Sequence, residues 1–185
     1  DQANTIAKGD YSKEIEPKSE KDELGVSLSL MTKTLAKVTA ENERQNWLKT
    51  GQATLGDKMR GDLLIADLCQ NIISFIAEYL DVQVGAMYYK SSEDKYKMIA
   101  SYAYAHRKNL SNEIKIGEGI VGQSILERKM IIVSNLPEDY ISVSSGLGKS
   151  SPKCVLVLPC IYDGKILGVI EIGSFTELSD LKIDF

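Results

Sequence analysis

The chain has 185 residues, which is enough for one domain of ordinary size and an additional segment. Apolar residues make up 43% of it, sufficient for a buried core, yet no apolar run reaches the roughly 18 residues of a membrane-spanning helix. The formal net charge of −4, without a clustered basic face, argues against nucleic acid as a partner.

The N-terminal segment predicts a connector followed by a long helix. Residues 4–17 are polar and contain Gly9 and Pro17, which disfavour helix and strand. Ser19 or Asp22 would cap the helix that follows. In that helix, apolar residues recur at alternating spacings of four and three, the heptad seam of a coiled coil. The seam consists of Leu24, Leu28, Met31, Leu35 and Val38.

Beyond residue 40 the seam changes phase. The continued register places Asn42 and Gln45 at seam positions, and apolar residues return one position later. These later seam residues are Leu48, Leu55 and Met59. The same stretch contains Gly51, Gly56 and Gly61. Each glycine costs a helix interior up to about 1 kcal/mol relative to alanine. The segment is therefore either a loosened coiled coil or one with two arrangements of nearly equal energy.

From residue 62 the apolar pattern becomes that of a globular domain. We predict an amphipathic helix at 64–80 and two alternating strands at 82–88 and 96–104. Next come a short extended piece at 113–116, a helix at 119–129, a buried strand at 130–133, a helical turn at 137–140 and a loop at 142–153. Asp163-Gly164 between apolar runs predicts a closing hairpin, 154–162 with 165–174, before a helix at 177–185. This order predicts an α+β fold, an antiparallel sheet flanked by helices.

Two motifs carry a resemblance to a known family. They are Lys115–Gln123 (KIGEGIVGQ) and Asp163–Ser174 (DGKILGVIEIGS). In this order they resemble the GAF domain, a ligand-sensing module of signalling proteins, and the resemblance covers residues 63–185. It implies the GAF-type antiparallel sheet and a module that binds and transmits without turning over substrate. We therefore expect this chain itself not to be an enzyme.

The N-terminal segment resembles the second half of a HAMP linker. Ile6–Tyr11 would be its connector, Asp22-Glu23-Leu24-Gly25 its motif and the apolar helix its second helix. The resemblance implies three parts: the HAMP half at 1–40, a signalling coiled-coil helix at 41–62 and the GAF domain at 63–185. Residues 1–7 are too few for a first HAMP helix, so we expect that this chain alone does not form a complete four-helix HAMP bundle.

In combination, the HAMP-like and GAF-like parts of the chain resemble membrane-anchored hybrid sensor histidine kinases. The segment Pro137–Ser151 followed by Leu158-Pro159 adds to this likeness. These resemblances imply the cytoplasmic portion of an inner-membrane-anchored protein, a homodimer through the N-terminal helix, and a downstream kinase core. A pure dimerisation scaffold and the input region of a nucleotide cyclase or phosphatase stay open. Because the chain starts at Asp1 and ends within a predicted helix, we expect a piece of a longer protein.

The resemblance also implies a pocket between the sheet and the helical insertion. Its walls would be formed by Tyr102, Tyr104, Gly119, Ile120, Val121, Tyr140, Ser142, Ser144, Ser145 and Cys154. Hydroxyl groups beside apolar walls suit a small, partly polar ligand, and the helix start at 119–122 offers backbone N–H groups to an anion. The alternative is that these positions fill a closed core.

Other candidate sites are weaker. His106 lies beside Arg107 and Lys108 without a marked nucleophile partner, which predicts a solvated histidine, with haem ligation as the alternative. Residues 146–150 are too short for a phosphate loop, and the signatures of cyclic-nucleotide and bilin binding are absent, so no cofactor is identified. Cys69, Cys154 and Cys160 lack metal or redox spacing. Cys154 and Cys160 lie about 20 Å apart on one strand face, so core filling is predicted for them.

Overall fold

The computed structural model describes residues 11, 22–104, 112–134, 136, 143–145 and 148–185. The chain divides into two compact units, residues 1–50 and 51–185. Within the described residues no helix is both long and apolar enough to cross a membrane.

Helix α1 runs over Glu23–Lys58 as 36 continuous residues. Its start is capped as predicted, because an Asp22 carboxylate oxygen accepts a hydrogen bond of 2.9 Å from the Gly25 N–H. Glu23 adds negative charge in the first turn, where the helix dipole favours it. The helix passes through the two internal glycines at 51 and 56 and ends before Gly61.

Helix α2 covers Ile65–Tyr79 and buries one apolar face. That face consists of Cys69, Ile72, Ile73, Ile76 and Ala77. The helix ends where Asp81 takes a positive φ of 50° and the Val82 N–H bonds to the Ala77 carbonyl at 2.9 Å. The strand predicted to start at residue 82 consequently begins at Val84.

The described residues form a six-stranded antiparallel sheet in the order β3-β2-β1-β8-β7-β4. The strands of this sheet are β1 (Val84–Lys90), β2 (Lys95–Tyr102), β3 (Glu113–Lys115), β4 (Ile131–Ser134), β7 (Cys154–Tyr162) and β8 (Lys165–Ser174). Strands β7 and β8 have the predicted bounds. Asp163 and Gly164 join them with positive φ values of 47° and 69°, the conformation that an Asp-Gly hairpin turn requires.

The prediction of a plain loop at 142–153 is wrong. It contains two short strands, β5 (Val143–Ser145) and β6 (Gly148–Ser150), which pair antiparallel with each other. Three residues per strand are too few for an alternating pattern to be recognised, and serine and glycine are depleted in strands.

Two further helices complete the domain. Helix α3 covers Gly119–Glu127 and ends at Arg128, which takes a left-handed conformation. The last helix, α4 (Asp180–Asp184), is shorter than the predicted 177–185.

Each face of the sheet carries a helix. On one face, Val121 and Ile125 of α3 pack in a core cluster with fully buried valines of β7 and β8. Those valines are Val155, Val157 and Val169. On the other face, Ile73 of α2 lies over Gly85, where an added Cβ would be 2.8 Å from Ile73 Cδ1. The expected fold, an antiparallel sheet flanked by helices with a long N-terminal helix, is confirmed.

Candidate ligand site

A small cavity lies where the start of strand β1 pairs with the end of strand β8. It is lined by Val84, Gly85, Ala86, Tyr104, Glu171 and Gly173. Its free interior has room for about one water molecule. Ala86 pairs directly with Glu171 and belongs to the α3-side cluster, so the Glu171 side chain lies on the α3 face of the sheet.

Glu171 is the unusual residue of this cavity, because its carboxyl group lies in the middle of an apolar strand. The side chain is only 7% exposed. The hydroxyl of the buried Tyr88 donates a hydrogen bond of 3.1 Å to Glu171 Oε2. A carboxyl group out of water is costly unless hydrogen bonds satisfy it. Tyr88 and Glu171 therefore form a stabilising polar pair in an otherwise apolar layer.

Sequence reasoning did not single out Glu171. The sequence feature that could have identified it is a single carboxylate in the otherwise apolar strand segment Val169–Gly173. A charged residue in a hairpin strand is normally assigned to the solvent side. Here β8 is a central strand whose residues from Gly168 to Ser174 are all buried, so Glu171 does not face water.

We expect the Tyr88–Glu171 bond to contribute measurably to stability. Tyr88→Phe removes one donor from a buried carboxyl group and should lower the free energy of unfolding by about 1–3 kcal/mol. Urea denaturation measures the loss. Tyr89→Phe is the matched control, because Tyr89 is 40% exposed. Equal stability of the two variants would show that the bond contributes nothing.

Four of the predicted pocket residues lie on this side of the sheet or at its edge. Val121 belongs to the α3-side cluster and Ile120 packs against it. Gly119 begins α3 with a φ of +63°, and Tyr104 lines the cavity.

Two other predicted residues lie on the opposite face. Tyr102 pairs with Gly85, which faces α2, and the positive φ of Ala103 breaks the expected alternation between Tyr102 and Tyr104. Cys154 precedes Val155, whose side chain points to α3, so strand alternation turns Cys154 the other way. The structure therefore does not bring Tyr102 or Cys154 to the cavity.

The remaining predicted residues lie around the insertion. Ser144 and Ser145 form strand β5 with its partner β6. Tyr140, Ser142 and the candidate His106 lie outside the described residues.

The start of α3 carries a carboxylate of its own. Glu118 is the residue before the helix, and its side chain accepts a hydrogen bond of 2.9 Å from the Lys115 N–H. Negative charge at a helix start is favourable, and a second anion beside it meets repulsion. The structure thus gives no support to the predicted anion site at 119–122.

The three cysteine thiols are free, and Cys69 and Cys154 are buried. Burial raises the pKa of the Cys69 thiol. Burial also raises the pKa of the Cys160 thiol, and the neighbouring Cys69 raises it further. Because the thiolate is the reactive form, these shifts disfavour redox chemistry at neutral pH. Metal-binding groups of three or more acidic, cysteine or histidine side chains are absent from the described part of the chain.

An antiparallel sheet of this order, with a helix on each face and a cavity on the α3 side, defines an α+β domain. The family model of the GAF domain matches residues 63–183. The chain therefore belongs to the GAF domain family.

Solved structures agree with this fold. The GAF domain of a phosphoenolpyruvate-protein phosphotransferase from Coxiella burnetii has 15% identity and a TM-score of 0.60, over 75% of this chain and 84% of that chain. A GAF domain from A. Aeolicus in an inactive state has 18% identity and a TM-score of 0.57, over 74% and 83%. The fRMsr of Staphylococcus aureus in complex with substrate has 17% identity and a TM-score of 0.54, over 72% and 81%. At these identities the likeness extends to the fold alone. Comparison with curated protein sequences gives no match.

Proposed function

We propose that this chain is a non-catalytic sensory and relay segment of a signalling protein, in which a dimeric helix α1 and a GAF domain pass on a conformational signal. The observation that carries the proposal is the apolar seam of α1. Within the first unit, Leu24, Met31 and Val38 of this seam are 72%, 46% and 51% exposed. Apolar side chains repeated at heptad spacing are buried when a second copy of the helix pairs with them.

The start of α1 supports a HAMP-like role for this helix. An added Cβ at Gly25 would lie 2.5 Å from Asp22 Oδ2, so glycine leaves the space that the capping carboxylate occupies. In the Asp-Glu-x-Gly motif, the glycine therefore leaves the capping carboxylate in place, where a larger residue would make it shift. On this basis we propose that α1 receives a signal from a preceding membrane segment.

We further propose that the longer protein is a membrane-bound sensor histidine kinase, on the strength of the HAMP and GAF resemblances. The test is incubation of the full-length protein with labelled ATP. Acid-labile label on histidine is the expected result. Cyclase or phosphatase activity without label would favour the alternative outputs.

The second candidate function is a dimerisation scaffold without a ligand. The cavity that the described residues form beside Glu171 is water-sized, far below the roughly 300–1,000 Å³ usual for a ligand pocket, and this supports the second candidate. The two candidates differ in whether any small molecule stabilises the domain.

Thermal-shift screening with metabolites and nucleotides separates them. A ligand at about 100 times its Kd adds about 2.7 kcal/mol to the free energy of unfolding, which raises the Tm of a chain this size by about 5–10 °C. Glu171→Gln should change the shift produced by a ligand of this cavity, whereas the exposed Glu177→Gln should not. A screen without any shift would support the scaffold.

A further inference from the structure

Helix α1 carries no side chain at one buried position, Gly51, where two aromatic rings meet it. An ideal Cβ at this position would overlap the Tyr79 ring and lie 2.5 Å from Phe185 Cε2. Even alanine at residue 51 therefore requires one or both rings to move. Gly51 lowers the helix propensity of α1, but the packing of Tyr79 and Phe185 against the helix requires it.

The two rings belong to a small aromatic stack. Tyr79 lies at the end of α2, and its ring centroid is 5.2 Å from that of Phe75 at an interplanar angle of 19°. Phe185 follows α4, and its centroid is 5.2 Å from that of Tyr79 at an angle of 41°. Aromatic pairs of this geometry attract beyond the area that they bury. Residues of α1, α2 and α4 thus meet at one point.

Helix α4 is short and only partly covered by the rest of the domain. It has five residues, and none of them is buried. A short helix of this kind is stable only where tertiary contacts hold it. The ring of Phe185 against Tyr79 and Gly51 is one such contact that fixes α4 to the domain.

We propose that Gly51, Tyr79 and Phe185 form a latch that couples the position of α1 to the docking of α4. The residues next to Gly51, Thr50 and Gln52, both carry side chains. Rotation or sliding of α1 by one residue brings one of these side chains toward the rings and displaces Phe185. The latch thus has a closed arrangement with glycine beneath the rings and an open one with α4 released. As a signalling element it rests on the proposed relay function of α1.

The test compares alanine at two glycines of the same helix. Gly51→Ala places a methyl group against the rings, whereas Gly56→Ala enters open space, with no atom within 4 Å of the added Cβ. Amide hydrogen exchange at residues 180–185 should rise about tenfold in Gly51→Ala, the equivalent of one lost aromatic pair, and stay unchanged in Gly56→Ala. The melting temperature should fall in the first variant and rise in the second, because alanine favours helix.

Equal exchange at 180–185 in both variants would overturn the latch. If Gly51→Ala fails to fold, Phe185→Leu replaces it, and the latch predicts the same local rise in exchange. Exchange that rises over the whole domain instead of at 180–185 would mean general destabilisation and would also overturn it. Failure of the relay function is distinguishable, because it appears as a monomer in sedimentation while the exchange difference persists.

Discussion

Replacement of Leu28, Met31 and Leu35 by serine should convert the proposed dimer into a monomer. These residues lie on the heptad seam of α1, and Met31 is 46% exposed in the single chain. Each apolar side chain buried in a coiled coil contributes about 1.5–3 kcal/mol. Loss of six of them per dimer weakens association well beyond a thousandfold. Sedimentation equilibrium measures the change.

The matched control places serine at three outward positions of the same helix, Lys33, Lys37 and Glu43. All three are exposed and lie off the seam. This control variant should remain dimeric with unchanged helix content. A seam variant that stays dimeric would mean that another surface pairs the chains. A monomeric unsubstituted chain would contradict the proposed relay function.

Gly122→Ala should be among the most destabilising single substitutions in the domain. A Cβ at this position would overlap the Lys115 carbonyl oxygen and lie 2.9 Å from the Gly117 N. Both are backbone atoms that cannot rotate away, and the Gly117 N–H already donates a 2.8 Å hydrogen bond to the Gly122 carbonyl. We expect a loss of about 2–3 kcal/mol, the upper range for overpacking. The corresponding fall in Tm is about 5–10 °C.

Gly119→Ala is the control that separates crowding from backbone conformation. Gly119 has a φ of +63°, and an added Cβ would meet no atom within 4 Å. Its substitution should cost only the penalty of a left-handed residue, about 1–2 kcal/mol. If Gly122→Ala unfolds at the same denaturant concentration as the unsubstituted chain, the close approach at the start of α3 is not a constraint.

The sequence predicted the parts of the fold that local chemistry decides. The Asp163-Gly164 turn gave the closing hairpin with correct bounds, because this dipeptide adopts the positive φ values that a tight turn needs. The Asp22 cap likewise gave the start of α1. Both features depend on residues a few positions apart, so a sequence pattern contains them.

The candidate site could be predicted only in part, because sheet faces depend on strand irregularities. The positive φ of Ala103 interrupts the alternation that would otherwise place Tyr102 and Tyr104 on the same face. The burial of Glu171 depends on the central place of β8 in the sheet, which is set by pairing with β1 far away in sequence. The packing role of Gly51 is equally non-local, since it depends on Tyr79 and Phe185.

The order of the strands has a consequence for biosynthesis. Val84 of β1 pairs with Gly173 of β8, so the middle of the sheet joins an early segment to the last hairpin. Such long-range pairing is slow, because a long stretch of chain must close into a loop before the strands form the contacts that stabilise the sheet. While the ribosome is still making β7 and β8, strand β1 lacks its neighbour β8 and exposes an unpaired edge. An unpaired strand edge is prone to aggregate, so the final hairpin protects the sheet as well as completing it.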